Sequence, residues 1–243
     1  MAKYVISDIH GQYDMFMELI EKIGFNKSDE LYILGDVVDR GSYACKTLLW
    51  MMEHDNILPI IGNHELMTLP CLRFLTKEIT EENIKLIDNK MVEKLINWQL
   101  SGGKATSDEF HKLTKDKQHA ILEYLGEFTA YEEVEAGGKT YLLIHGGLEN
   151  YEPGKDIEDY TLQDIVWSRA DYNTRYFPDK IVVTGHTPTQ YIENNPRPGY
   201  IFRKNGHIAI DCGCNKRNGR LAALCLDTGE EFYSSDNNES DYE

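Results

Sequence analysis

Cysteine is scarce in this chain, and long apolar runs are missing. The 243 residues contain five cysteines, an odd number without the paired spacing of a disulfide framework or a structural zinc site. No apolar stretch approaches the ~18–20 residues that a membrane-spanning helix needs. Tyr4 already lies in the first strand-like stretch, which leaves no room for a signal peptide before it. We therefore expect a cytoplasmic protein with reduced thiols and no membrane partner.

Positive charge is also in short supply. The chain has 25 Lys and Arg residues against 41 Asp and Glu residues, which gives a formal net charge of −16. Because a surface this acidic repels other polyanions, neither nucleic acid nor an anionic membrane is an expected partner.

No linker rich in Pro, Ser or Gly divides the chain, and this predicts a single domain over residues 1–233. The last ten residues, "SSDNNESDYE", are polar, acidic and without apolar periodicity. They predict an acidic disordered tail over 234–243.

Short apolar runs alternate with helical stripes in the first quarter of the chain. "KYVIS", "ELYILGD" and "NILPIIGN" are typical of buried strands, and the segments between them have helical spacing. This β-α-β-α-β order predicts parallel strands with helices packed on the sheet. Residues 66–126 predict a helical segment that covers the site, interrupted at Pro70, near Asp88 and in "SGGKATS".

The second half of the chain predicts strands and hairpins. "TYLLIHGG" and "KIVVTGH" are typical of buried strands, "YIFRKNGHIAID" predicts a hairpin that turns at Asn205 and Gly206, and "RLAALCLDTGEEFYS" predicts a second one. The fold class is therefore α/β, with two packed mixed β-sheets flanked by helices and a helical segment after the third strand.

Five predicted strands end in polar residues that can bind metal or phosphate. These are Asp8 and His10 after the first strand, Asp36, Asp39 and Arg40 after the second, Asn63 and His64 after the third, and then His145 and His186. A single histidine in such a position is more often a buried core residue. However, ligands bind at the carboxyl ends of strands in open α/β sheets, so five polar strand ends together predict a binding site. Carboxylate, carboxamide and imidazole donors suit Mn²⁺, Fe or Zn²⁺.

The motifs around these residues carry a family resemblance. "SDIHG", "GDVVDRG", "GNHE", "HGG" and "GHTP", spread over residues 7 to 188, resemble the signature of the calcineurin-like metallophosphoesterases. "GDVVDRG" with "GNHE" resembles the phosphoprotein phosphatase branch, including bacterial members and the bacteriophage lambda serine/threonine phosphatase. The chain departs from that pattern at Ser101, where relatives often have Asn, and at Asn218, where Gly is expected.

The resemblance implies a dinuclear metal centre with Mn as the expected metal and Fe or Zn as alternatives. It implies that Asp36 bridges the two ions, that Asp8 and His10 complete the first site, and that Asn63, His145 and His186 complete the second. It also implies that His64 is the general acid, that Asp39 orients it, and that Arg40 and Arg169, in "VWSRAD", bind phosphate oxygens.

The expected reaction is hydrolysis of a phosphomonoester, by in-line attack of a metal-bridging hydroxide with His64 protonating the leaving group. Phosphoserine or phosphothreonine in a protein is the first expected substrate, with a small phosphoester as another. The alternative is a symmetrical dinucleoside tetraphosphate hydrolase, which uses the same metal core on a phosphoanhydride. A third hypothesis is a silent binding module, which should have lost a ligand, the acid histidine or an arginine, and this chain has lost none.

Overall fold

Two five-stranded mixed sheets form the centre of the computed structural model, which describes residues 1–78, 80 and 88–238. The strands are β1 (Lys3–Ile6), β2 (Glu30–Leu34), β3 (Ile57–Ile60), β4 (Tyr131–Ala136), β5 (Lys139–Ile144), β6 (Lys180–Thr184), β7 (Phe202–Lys204), β8 (His207–Ala209), β9 (Ala222–Cys225) and β10 (Glu231–Tyr233). The first sheet has the order β10-β9-β1-β2-β3 and the second has the order β4-β5-β6-β8-β7.

The sheets pack face to face through an apolar layer of alternate strand residues. Val5 and Leu34 from the first sheet and Leu143 and Val183 from the second belong to one buried cluster. Because successive side chains on a strand point to opposite faces, the remaining apolar residues of these strands face the helices. The first sheet pairs β1, β2 and β3 in parallel, and the second pairs β5 and β6 in parallel.

Helices cover the outer faces of the sheets. They are α1 (Tyr13–Ile23), α2 (Ala44–Met52), α3 (Asn63–Leu75), α4 (Asn89–Trp98), α5 (Lys104–Phe110), α6 (Lys115–Gly126) and α7 (Leu162–Val166). Helix α1 shows why such segments fold as they do, since its buried residues Phe16, Leu19, Ile20 and Ile23 recur at helical spacing. No helix among the described residues is long and apolar enough to cross a membrane.

The architecture confirms the predicted fold class and both hairpins. Asn205 and Gly206 both have positive φ angles, of 48° and 79°, as a type I′ turn between β7 and β8 requires. The helical segment predicted over 66–126 starts earlier in the structure, because α3 already begins at Asn63. Residues 79 and 81–87 of this predicted segment lie outside the described residues.

The predicted break at Pro70 is wrong, because Pro70 lies inside α3. A proline within a helix removes one backbone hydrogen bond, at a cost of about 3 kcal/mol. Tertiary contacts hold helix α3 on both sides of Pro70. Before it, the Glu65 side chain accepts the backbone N–H groups of Asp36 and Val37, and after it Cys71 and Leu72 are fully buried. These tertiary contacts offset the lost bond.

Residues 234–238, assigned to the tail by sequence, pack against the domain. The Ser235 backbone N–H donates to Glu18 at 3.0 Å, the Asn237 side chain donates to the Cys214 carbonyl at 2.8 Å, and Asp236 pairs with Arg220 at 3.0 Å. The ordered chain therefore continues to 238 rather than ending at 233. Residues 239–243 lie outside the described residues, so a disordered tail there remains a prediction.

Candidate metal centre

The loops after the parallel strands reverse direction sharply and bring the polar residues to one place. Six of these residues adopt left-handed backbone conformations, with φ between 46° and 69°: Asp8, His10, Asp36, Asp39, Arg40 and His186. Such angles are uncommon for residues other than glycine and cluster at functional sites. The backbone is therefore strained at the positions that carry the predicted chemistry.

Asp36 lies between two groups of possible metal ligands. One group contains His10, Asp36 and His64, and the other contains Asp36, His145 and His186. Asp36 Oδ2 lies 3.7 Å from His10 Nε2 and 4.0 Å from His64 Nε2, whereas Oδ1 lies 3.4 Å from His145 Nε2. Each carboxylate oxygen thus faces a different group, which is the arrangement that a bridging ligand needs.

Backbone carbonyls orient two of the imidazoles that could bind metal. His10 Nδ1 donates to the Val38 carbonyl at 3.0 Å, and His145 Nδ1 donates to the Leu34 carbonyl at 2.6 Å. Burial lowers the pKa of both histidines, which favours neutral rings with a lone pair on Nε2. Such a carbonyl contact on the far nitrogen is the usual support of a metal-binding histidine.

Asn63 completes the second group. Its Oδ1 lies 2.9 Å from His145 Nε2 and 2.9 Å from His186 Nδ1. With His145 Nδ1 already donating to a carbonyl, a neutral His145 directs a lone pair at the Asn63 oxygen, so a cation between them would satisfy both. The donor set of this group therefore fits a hard or borderline divalent cation.

Asp8 is buried beside the groups but belongs to neither of them. Both carboxylate oxygens accept the His186 backbone N–H, at 3.0 and 3.1 Å. Burial raises the pKa of Asp8 well above its usual range, and the charges of Asp211 and Asp36 add to this effect. A nearby cation would stabilise the ionised form of a carboxylate in these surroundings. That Asp8 is a metal ligand remains a prediction.

His64 is held by Asp39. His64 Nδ1 donates to Asp39 Oδ2 at 2.7 Å, and both side chains are buried. Burial lowers the pKa of His64, but the Asp36 and Asp39 carboxylates outweigh this and raise it above the usual value. A protonated imidazole is therefore favoured, as a general acid requires.

Three further residues bind Asp39, and sequence reasoning did not find them. Asp39 Oδ1 accepts Trp98 Nε1–H at 3.0 Å and the Thr106 hydroxyl at 2.9 Å, and the Thr68 hydroxyl lies 3.2 Å from both Asp39 oxygens. All three come from the helical segment after β3. No spacing in the sequence signals these contacts, since Thr106 and Asp39 lie 67 positions apart.

Glu65 supports the loop that carries Asp36. Its buried carboxylate accepts the backbone N–H groups of Asp36, Val37 and Gly62 at 2.8, 2.8 and 2.9 Å. Glu65 is the last residue of the "GNHE" motif, so a signal was present, but its role emerges only from the packing of the loop after β2 against α3.

The two predicted phosphate-binding arginines differ in their surroundings. Arg40 Nη1 donates to His10 Nε2 at 2.8 Å, and Arg40 Nη2 lies 3.1 Å from His64 Nε2. Arg169 is exposed, in a loop that lies against Gly147 just after His145. Burial and the charge of His145 lower the pKa of His186 to about 4, and the charge of Arg169 adds to this effect.

Removal of divalent metal should lower the thermal stability of the chain. Metal that binds only the folded state adds about 2.7 kcal/mol at a hundred times its Kd, because the unfolded chain lacks the site. The melting temperature with a chelator, and again after Mn²⁺ is added in excess, measures the effect. An identical melting temperature at saturating Mn²⁺ would contradict a metal site in these groups.

Comparisons with known proteins agree with this geometry. The pattern of the calcineurin-like phosphoesterases matches residues 1–211. A symmetrical bis(5'-nucleosyl)-tetraphosphatase of Delftia acidovorans is 34% identical over 184 residues, which are 74% of this chain and 60% of that protein. Its namesake in Neisseria gonorrhoeae is 44% identical over 71 residues, 28% of this chain and 26% of that protein. The matched segments span 60% and 26% of these relatives' lengths, in both cases less than two thirds.

Solved structures share the fold at low sequence identity. A structure provisionally assigned as a diadenosine tetraphosphatase matches with a TM-score of 0.64 and 17% identity, over 98% of this chain and 94% of that one. A serine/threonine phosphatase of Saccharomyces cerevisiae matches with a TM-score of 0.58 and 15% identity, over 99% of this chain and 82% of that one. Because the family pattern covers residues 1–211 and the fold agrees, the chain belongs to the calcineurin-like phosphoesterase family.

Proposed function

We propose that this chain hydrolyses dinucleoside tetraphosphates symmetrically, with two divalent metal ions. The observation that carries the choice of substrate is the 34% identity over 184 residues to a symmetrical bis(5'-nucleosyl)-tetraphosphatase. The metal-ligand groups on either side of Asp36 support the reaction class, since a metal pair is suited to phosphoryl transfer.

The first expectation from sequence, a protein serine/threonine phosphatase, has weaker support. The motifs from "SDIHG" to "GHTP" describe the metal core, and a phosphatase and a tetraphosphatase can share that core. The likeness to the yeast phosphatase, at 15% identity, concerns the fold alone. The relatives compared by sequence favour the phosphoanhydride substrate.

The residues present fit two cations. His10 and Asp36, with Asp8 beside them, would hold one, and Asp36, Asn63, His145 and His186 would hold the other; Mn is the metal we propose. When bound, such ions polarise the phosphoryl group and supply a nucleophile at neutral pH.

The chain's own residues bind and orient the substrate. The Arg40 guanidinium presents two N–H groups beside His10 and His64, a geometry suited to two oxygens of one phosphoryl group. Arg169, whose backbone lies against Gly147 two residues after His145, adds a second positive charge. His64, fixed by Asp39, holds a proton near the leaving oxygen.

Substrate choice is tested by initial rates on diadenosine tetraphosphate and on a phosphoserine peptide, at equal enzyme and Mn²⁺ concentrations. We expect faster turnover of diadenosine tetraphosphate, with ADP as the only nucleotide product, because symmetrical cleavage leaves two phosphates on each adenosine. Production of AMP with ATP would contradict symmetrical cleavage. Faster turnover of the peptide would restore the protein phosphatase hypothesis.

The role of His64 depends on the leaving group. A departing nucleoside diphosphate needs little protonation, since the second pKa of a phosphate is about 6, whereas a phenolate or alkoxide needs much more. His64→Asn should therefore lower kcat on phenyl phosphate by about 10²–10⁴-fold and lower it far less on 4-nitrophenyl phosphate or diadenosine tetraphosphate.

His64 also lies in the group with His10 and Asp36, so it could be a metal ligand instead of a general acid. The metal content of the variant distinguishes the two roles. A general acid predicts wild-type Mn content in His64→Asn, measured by elemental analysis after dialysis. Loss of metal together with equal loss of rate on all three substrates would make His64 a ligand.

A further inference from the structure

A groove of about 930 Å³ adjoins Arg40. It lies where the start of α2 meets the turn between α4 and α5, and its lining includes Arg40, Tyr43, Leu100, Gly102 and Lys104. The Arg40 backbone N–H donates to the Gly102 carbonyl at 3.1 Å, so the groove wall is tied directly to a residue of the metal centre.

The turn between α4 and α5 is shaped to this contact. Gly102 has a φ of 102°, and a Cβ added there would lie 2.7 Å from Arg40 Cγ. Only glycine lets the turn approach Arg40 this closely. The same turn directs Leu100 outward, and that side chain is 82% exposed.

Two apolar side chains line the groove and remain open to solvent. Tyr43 is 47% exposed and Leu100 is 82% exposed. The Lys46 ammonium lies 5.2 Å from the centre of the Tyr43 ring and 3.7 Å from that of Tyr13, and such cation–π contacts help to hold the ring in place. An exposed aromatic ring and an exposed leucine that line the same concave site are suited to a flat apolar ligand group.

We propose that this groove, the Tyr43 groove, holds one nucleoside of the substrate, and this inference rests on the proposed dinucleoside tetraphosphate activity. The base stacks on Tyr43 with Leu100 alongside it, and the phosphate chain passes Arg40 toward Asp36. A substrate with phosphates at the metal centre and a base at its end needs a cationic group between the two, and Arg40 occupies that position.

The chemistry of the groove predicts loose selection among bases. Stacking on an aromatic ring tolerates every base because each has a π face. Diguanosine and diadenosine tetraphosphate should therefore have KM values within a few-fold of each other, about the range expected for stacking without base-edge recognition.

The test uses KM for diadenosine tetraphosphate in Tyr43→Ala, Leu100→Ser and Tyr43→Phe. Tyr43→Ala should raise KM by about 5- to 100-fold, because base–aromatic stacking is lost, and Tyr43→Phe should stay near wild type. Leu100→Ser should raise KM by a smaller factor. Because the Leu100 side chain is 82% exposed, this substitution should not disturb folding, so a higher KM would report on the groove. Ile96→Ser is the matched control, since Ile96 is 52% exposed on α4 and is absent from the groove lining.

Inhibition by inorganic phosphate separates the groove from the metal centre. Phosphate lacks a base, so its inhibition constant should be unchanged in all four variants. Unchanged KM in both Tyr43→Ala and Leu100→Ser would overturn the nucleoside site. A phosphate inhibition constant that rises in step with KM would overturn it too, because the substitutions would then act by moving Arg40. A wild-type protein without activity on diadenosine tetraphosphate would overturn the proposed function itself, a result that the variants cannot produce.

Discussion

The carboxylate of Asp36 is the feature on which the candidate site depends. Its two oxygens face different groups of imidazoles, and its Oδ1 also accepts the His64 backbone N–H at 3.0 Å. Burial opposes its ionisation, and positive charge on the surrounding imidazoles, His145 first, would lower the pKa of Asp36 below its usual range. Because burial favours neutral His10 and His145, a bound cation is the charge that would do this in the assembled site. The site is therefore built around one ionised carboxylate in a buried place, a state that needs positive charge close by.

The surrounding fold holds the Asp36 backbone in a strained conformation. Asp36 has a φ of 52°, and conformations of this kind cost of order 1–3 kcal/mol each. Glu65 holds the Asp36 backbone N–H, and Gly62 permits close approach, because a Cβ there would lie 2.3 Å from Asp36 Oδ1. The buried strands β1, β2 and β3 anchor the loops on one side, so the strain persists in the folded state.

The strand ends could be predicted from sequence because their cause is local. An apolar run followed by Asp, Asn or His marks the carboxyl end of a strand, and the parallel pairing of β2 with β3 brings Asp36 and Asn63 together. His145 follows β5 of the second sheet, and the packing of the two sheets brings it to them. Contacts made by the helical segment could not be predicted, since Trp98 reaches Asp39 only through the docking of α4. For the same reason the sequence indicated a metal core but not the groove beside it.

The choice of substrate also exceeded what the motifs could indicate. Residues that hold metal and bind phosphate are the same for a phosphomonoester and a phosphoanhydride, so the motifs around Asp36 favour neither. Surfaces outside that core must then distinguish the two substrates, and the Tyr43 groove is the one that we propose for this.

Metal stoichiometry tests the central claim that Asp36 bridges two cations. Equilibrium dialysis against Mn²⁺, followed by elemental analysis, should give two ions per wild-type chain and at most one in Asp36→Asn, because the amide has no charge to share between them. Asp39→Asn is the control: Asp39 is equally buried but belongs to neither group, and it contacts His64 at Nδ1 rather than at Nε2, the nitrogen near Asp36, so this variant should keep both ions. Two ions bound with wild-type affinity in Asp36→Asn would contradict the account.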